Sequence, residues 1–145
     1  MVGFRIGNET FGVPVVAVHE IMRVPEITAM PGAPESIRGV VNLRGNIIPV
    51  LDLRKRFGKS VVDTHKKNRV LVTEVGGKLV GMIVDEASAL LKIPLSQIEQ
   101  PPDLFEDGEI SYITGVGKVD HRLIVLIDLT KVLRPGELKQ IQTIN

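Results

Sequence analysis

The chain has no cysteine and no tryptophan among its 145 residues. Without thiols there is no disulfide framework, no thiolate metal site and no cysteine nucleophile, so apolar burial and hydrogen bonding must hold the fold together. A chain of this length buries about two thirds of its unfolded surface, enough to fold without covalent staples. Aromatic residues are scarce, at 3%, which makes the core aliphatic and its strands rich in β-branched residues. An excess of either charge is missing too. The 18 basic residues balance 17 acidic ones to a net +1, which gives no global attraction to nucleic acid or to an anionic membrane. No apolar run approaches the roughly 18 residues of a membrane helix, and no basic segment followed by an apolar one opens the chain. A cytoplasmic protein without direct membrane insertion is expected.

What is present is a succession of short strands divided by turn residues. Val2 to Ile6 and Thr10 to Val16 flank Gly7-Asn8, a tight hairpin signal. Pro14 removes a donor from the second run, so that strand ends, bends or lies at an edge there. Val15, Val18 and Ile21 then recur three apart, which fits one helical turn or a distorted strand. Pro25, Pro31 and Pro34 punctuate an irregular crossing, and Pro34-Glu35-Ser36 has the form of a first helical turn. The densest stretch runs from Gly39 to Phe57. It reads as strand, polar turn, strand and short helical turn, with Arg44 at the hairpin tip, Asp52 placed to cap the helical turn and Gly58 to end it. Lys59 to Asn68 is polar and aperiodic, a linker or exposed loop. Val70 to Val75, Gly76-Gly77 and Lys78 to Val84 form another hairpin pattern. At the end, Leu138, Ile141 and Ile144 fit either a short amphipathic helix or a frayed tail.

These segments repeat. At an offset of 69, Ile6-Gly7-Asn8 falls on Val75-Gly76-Gly77 and Gly12 on Gly81. At an offset of 76, Ile37 falls on Ile113, Gly39 on Gly115, Ile48 on Ile124 and Asp52-Leu53 on Asp128-Leu129. Subtracting 69 from 76 leaves a seven-residue insertion, placed in the Pro-rich acidic loop around Pro101 to Glu109. Two copies of one strand-rich unit, each of about 65 to 75 residues, follow from this. Short strands at such spacing fit a pair of small β-barrels better than one sandwich, and units that small should share a buried aliphatic seam. Arg44 has no echo, since its partner at offset 76 is Asp120.

Catalytic patterns are missing. His19, His65 and His121 lack ligand spacing, and His19-Glu20 points two ways in a strand. Gly115-Val116-Gly117-Lys118 departs from a phosphate loop at Tyr112 and Val119, and reads better as a hairpin turn. Arg54, Lys55, Arg56, Lys66, Lys67 and Arg69 read as a solvated basic face, with Phe57 the lone aromatic among them. Surface recognition remains. Arg44 presents a planar donor fork, suited to a carboxylate on a partner or across a groove, or simply solvated at its turn. Glu20 is a partner-facing acid or merely exposed. Gly39 accommodates a partner's backbone or meets a turn's need for positive φ.

Several separated motifs carry a resemblance to a known family. They are V-H-E-I at Val18 to Ile21, G-V-V-N-L-R-G-N-I-I-P-V-L-D-L-R at Gly39 to Arg54, V-G-M-I-V-D at Val80 to Asp85 and Y-I-T-G-V-G at Tyr112 to Gly117. Over essentially its whole length the chain resembles the CheW family of chemotaxis coupling proteins. The resemblance implies a mainly β fold: two SH3-like five-stranded β-barrel subdomains sharing a hydrophobic seam, with short helical turns. The first subdomain is expected over residues 1–66 and the second over 67–145, with the first strands exchanging between them. It further implies a non-catalytic signalling adaptor with no cofactor and no metal, recruited to receptor arrays at the membrane. Its partners would be the cytoplasmic tip of methyl-accepting chemoreceptors, held in a groove between the barrels, and the regulatory domain of the histidine kinase CheA. Positions matched to receptor coupling are Val18, Glu20, Gly39 and Arg44, with Asn42 supporting the turn. The kinase would meet faces at the barrel ends, which the resemblance assigns to no residue here.

F-G-V-P-V at Phe11 to Val15 also resembles the CheA regulatory domain, but N-L-R-G and D-L-R favour the coupling protein. A coupling protein is therefore expected, rather than the kinase with its ATP-binding domain or the two-domain CheV type with its receiver domain. The family's usual lead-in is nearly missing, so a short or frayed first strand is expected. A different class, a small-ligand or nucleic-acid binding β-barrel regulatory module, would place its contacts at Lys66, Lys67 and Arg69.

Overall fold

Alternation of apolar and polar side chains dictates most of the strands. A computed structural model describes residues 1–33, 36–59, 66–88, 91–100 and 112–133. Strands β1 (Val2–Ile6) and β2 (Glu9–Val13) form the first hairpin, closed by Gly7 at a φ of 62°. A 3₁₀ turn at Val15–Ala17 follows Pro14 and leads to β3 (Glu20–Arg23). The period of three thus marks one helical turn followed by a strand. Next come β4 (Ile37–Leu43), β5 (Asn46–Asp52) and α1 (Leu53–Arg56), where the Asp52 carboxylate accepts from the Arg54 amide at 3.0 Å and caps the turn. In β4 every second residue is buried, as expected when one face of a strand meets the core.

The second copy supplies β6 (Arg69–Val75), β7 (Lys78–Val84), β8 (Glu86–Ser88), β9 (Ile98–Glu99), β10 (Ile113–Val119) and β11 (Arg122–Ile127). A 3₁₀ turn at Leu129–Lys131 follows, capped by Asp128 as α1 is by Asp52. Gly115 to Lys118 lie inside β10 and are not a turn; that reading is corrected. A Cβ on Gly115 would stand 3.1 Å from the Glu99 carbonyl oxygen, and one on Gly117 3.0 Å from Ile93, so these glycines serve close packing. The turn itself is Asp120-His121, both at positive φ. The readings of Pro34-Glu35-Ser36, of most of Lys59 to Asn68, of the Pro101 to Glu109 insertion and of the C-terminal helix lie wholly or partly outside the described residues.

The sheets do not follow the order of the chain. One has the order β3-β6-β7-β5-β4 and the other β8-β1-β2-β11-β10-β9, so the hairpin β1–β2 joins strands of the second half and β6–β7 joins strands of the first. Two parallel pairings achieve this, with Val50 opposite Gly81 and Leu126 opposite Gly12. The two pairs are equivalent at the offsets of 76 and 69, and the ladders β4–β5 and β10–β11 share a bulge, at Ile37/Gly39 and Ile113/Gly115. The first strand is not frayed: β1 is bonded on both sides, to β2 and to β8.

The largest core cluster draws on both sheets, with Phe4, Phe11 and Val13 from one, Leu51, Leu71 and Met82 from the other, and Leu53 and Leu129 from the capped turns. It forms a common apolar seam, and each such side chain contributes about 1.5–3 kcal/mol by leaving water. A smaller cluster, including Val41, Ile48, Val70 and Ile83, fills the five-stranded sheet. Phe4, Phe11, Phe57 and Tyr112 stack in a column across the seam, with centroid spacings of 5.4, 5.3 and 5.5 Å. The aromatics among the described residues are therefore concentrated where two units must adhere. Among the described residues no helix is long and apolar enough to cross a membrane.

Candidate functional site

The β4–β5 turn consists of Arg44 and Gly45, at φ of 52° and 88°. Two successive positive φ values are what a type I′ hairpin turn needs, and they suit Gly far better than Arg. Asn42 compensates: its side-chain oxygen accepts from the Gly45 amide at 2.9 Å. The turn thus presents Arg44 rigidly from the backbone outward, while its guanidinium stays 79% exposed.

Facing it is Glu20, the first residue of β3. The Val15–Ala17 turn swings the chain from one sheet to the other, and the His19 amide then bonds to the Val72 carbonyl at 2.7 Å. This sets β3 against β6 with Glu20 opposite Val72. Arg44 Nη2 lies 3.4 Å from Glu20 Oε1. The pair spans a groove of about 180 Å³ lined by His19, Glu20, Leu43, Arg44, Asn46 and Val72, with Leu79, all on or beside the five-stranded sheet, so this groove lies on one barrel and not between the two as expected. His19 Nε2 stands 3.8 Å from Glu74 Oε2 at its rim. A long, mostly solvated ion pair holds little energy, about 0–1 kcal/mol. Arg44 has donors to spare, so a carboxylate arriving from outside can exchange with Glu20 at small cost.

The structure brings Glu20, Arg44 and Asn42 together and sets two other matched positions apart. Val18 is half-buried and packs against the seam cluster. Gly39 lies five residues from Arg44 along β4, about 16 Å at strand rise, and is buried. Its φ is 147°, and a Cβ there would lie 2.0 Å from the Thr28 carbonyl oxygen. Thr28 and Val40 exchange two backbone hydrogen bonds of 2.9 Å at this point. The backbone that approaches Gly39 is therefore the chain's own.

Arg54 corrects the basic-face reading: it is 5% exposed. Its Nε and Nη2 both lie 3.0 Å from the carboxylate of Asp52, which is itself fully buried. Nη1 donates to Asn68 and to Asp85, and Arg38 reaches Asp52 from the other side at 3.3 Å. Burial disfavours the charge on Arg54, but Asp52 and then Asp85 outweigh it, and its pKa is raised above the ordinary value. Phe57 is likewise stacked in the seam column. The cap at Asp52 was legible as D-L-R, but the burial of the Arg was not. Outside the groove, Val16, Ile47, Leu95 and Leu123 are exposed apolar residues. Ile47 and Leu123 are equivalent at the offset of 76, each one residue before a buried isoleucine.

Comparison with known proteins gives consistent results. The family model described as the CheW-like domain matches residues 1–137. The chemotaxis protein CheW of Klebsiella aerogenes is 33% identical over 141 residues, covering 97% of this chain and 85% of that protein. Protein FrzA of Myxococcus xanthus is 30% identical over 140 residues, covering 95% and 87%. Among solved structures, the scaffolding protein TtCheW from Thermoanaerobacter tengcongensis superposes with a TM-score of 0.82 at 35% identity, covering 94% of this chain and 92% of that one.

Proposed function

Because the chain belongs to the CheW family, we propose that it is a non-catalytic adaptor coupling chemoreceptors to the histidine kinase CheA. In this reading the receptor's cytoplasmic tip docks beside the groove between β3 and the β4–β5 turn. The observation that carries it is the Glu20–Arg44 pair: an acid and a base on separate elements, with the guanidinium held by a supported turn and largely open to solvent. Val18 sets the adjacent crossover against the seam, Asn42 holds the turn, and Gly39 maintains the strand from which the turn projects. Array recruitment at the membrane follows from receptor binding, without insertion of this chain.

The test is a reconstituted array of receptor, kinase and this protein. Arg44→Glu places two acids across the groove, so kinase activation by receptor is expected to fall while the circular dichroism spectrum and unfolding midpoint stay near wild type. Normal activation by that variant would remove Arg44 from the site.

A further inference from the structure

The chain passes between the two sheets at two crossovers, β2 to β3 and β7 to β8, and they are built differently. Asp85 occupies the second. One carboxylate oxygen, Oδ2, accepts from the Gly7 amide at 2.7 Å, in the β1–β2 turn of the six-stranded sheet. The other, Oδ1, accepts from Arg54 Nη1 at 3.3 Å, in α1, which follows β5 of the five-stranded sheet. The Asp85 amide donates to the Arg5 carbonyl at 3.0 Å, while its carbonyl accepts from Asn68, just before β6, at 3.1 Å. One residue therefore ties the β1–β2 hairpin to the segments flanking the five-stranded sheet, α1 after β5 and Asn68 before β6, through both main chain and side chain. Arg54 is in turn immobilised by its two bonds to buried Asp52.

The equivalent crossover carries no such charge. At the offset of 69 Asp85 corresponds to Val16, which is 92% exposed. At the offset of 76 Arg54 corresponds to Thr130, whose hydroxyl returns to Asp128 at 2.6 Å. In this crossover the Ala17 carbonyl accepts from the Thr73 hydroxyl and the His19 amide donates to the Val72 carbonyl, both partners in β6, which ties it to one sheet.

We propose that Asp85 is a pin that sets the angle between the two barrels, and that the Pro14–His19 crossover is the compliant side. The two barrels are then free to adjust mainly at the crossover that leads into β3, while the groove, lined by the five-stranded sheet alone, moves with that sheet as one body. Asp85 acts as a positioning residue, through Arg54 and Gly7.

The absence of cysteine makes the test direct. Cysteines introduced at the equivalent exposed positions Asn46 and Arg122, the first residues of β5 and β11, take spin labels for distance measurement by pulsed electron paramagnetic resonance. Asp85→Asn and Arg54→Met are each expected to shift or broaden the distance distribution. Val41→Ala, which opens a cavity inside the five-stranded sheet alone, is expected to lower stability and leave the distribution unchanged. An Asp85→Asn protein that folds with the wild-type distribution overturns the proposal and makes Asp85 an ordinary stabilising contact. Should neither pin variant fold, amide hydrogen exchange of the unaltered protein decides: protection of Gly7 comparable to the β1–β2 ladder supports the pin, and exchange at the rate of a free turn amide overturns it.

Discussion

Gly39 and Arg54 show how a single residue can belong to the framework while standing inside a recognition motif. At Gly39 a side chain would meet the Thr28 carbonyl, and the backbone itself is at a φ that L-residues rarely adopt. Gly39→Ala is expected to cost about 3 kcal/mol or more, the combination of backbone strain and overpacking. Its equivalent Gly115 would bring a Cβ into a tight but less severe contact, 3.1 Å from the Glu99 carbonyl oxygen, with no positive φ, so Gly115→Ala should cost less, about 1 kcal/mol, at the low end of overpacking. Urea unfolding of the two variants side by side checks this. Equal midpoints would show that Gly39 is not a framework residue and return it to the partner surface. Arg54 was hidden for a different reason. A run of basic residues after a strand is normally solvated, and only the acids that surround an Arg reveal that it is buried. Asp85 lies 31 residues away in sequence, beyond any local pattern.

Among the elements, the β4–β5 hairpin separates two demands that fall on the same two residues. The turn needs positive φ, which favours Asn-Gly, yet it holds Arg-Gly. The sequence disfavours Arg in a left-handed conformation by about 1–2 kcal/mol, and the bond from Asn42 to Gly45 offsets part of that. Arg44→Asn is therefore expected to raise the unfolding midpoint or leave it unchanged, since the exposed ion pair it removes is worth at most about 1 kcal/mol. It should nonetheless lower receptor-dependent kinase activation as Arg44→Glu does. A variant that is both less stable and fully active would show the Arg to be a turn residue and nothing more. The equivalent hairpin tip, Asp120-His121, repeats the left-handed turn with a carboxylate in place of the guanidinium, so the turn geometry is shared and the positive charge is particular to one barrel.

For the whole molecule, exchange of hairpins between sheets means that neither half of the chain completes a sheet alone. Breaking the five-stranded sheet removes the partner of β5 from the second copy, and the large seam cluster goes with it. Unfolding is therefore expected to be a single cooperative transition. Tyr112, the only tyrosine, ends the aromatic column and reports on the seam, whereas far-ultraviolet circular dichroism reports on both sheets. The two signals should trace one urea curve. Separate midpoints would mean that the barrels unfold independently.

The sequence by itself determined what depends on neighbouring residues. Period-two alternation placed the strands, glycine and asparagine pairs placed the turns, Asp52 announced its cap, and the offsets of 69 and 76 exposed the duplication. Arg44 was legible at its tip because a polar turn between two apolar runs needs no tertiary partner to be seen. Only the tertiary structure decided which hairpin joins which sheet, that Arg44 faces Glu20 from 24 residues away, that Thr28 explains Gly39, and that Arg54 is buried against Asp52 and Asp85. Those outcomes rest on pairings between distant segments, in which burial and shape choose among partners that local propensity leaves equivalent. Gly115 to Lys118 fell between the two. Its glycines looked like turn residues because the sequence shows a missing side chain but not the neighbour that requires it to be missing.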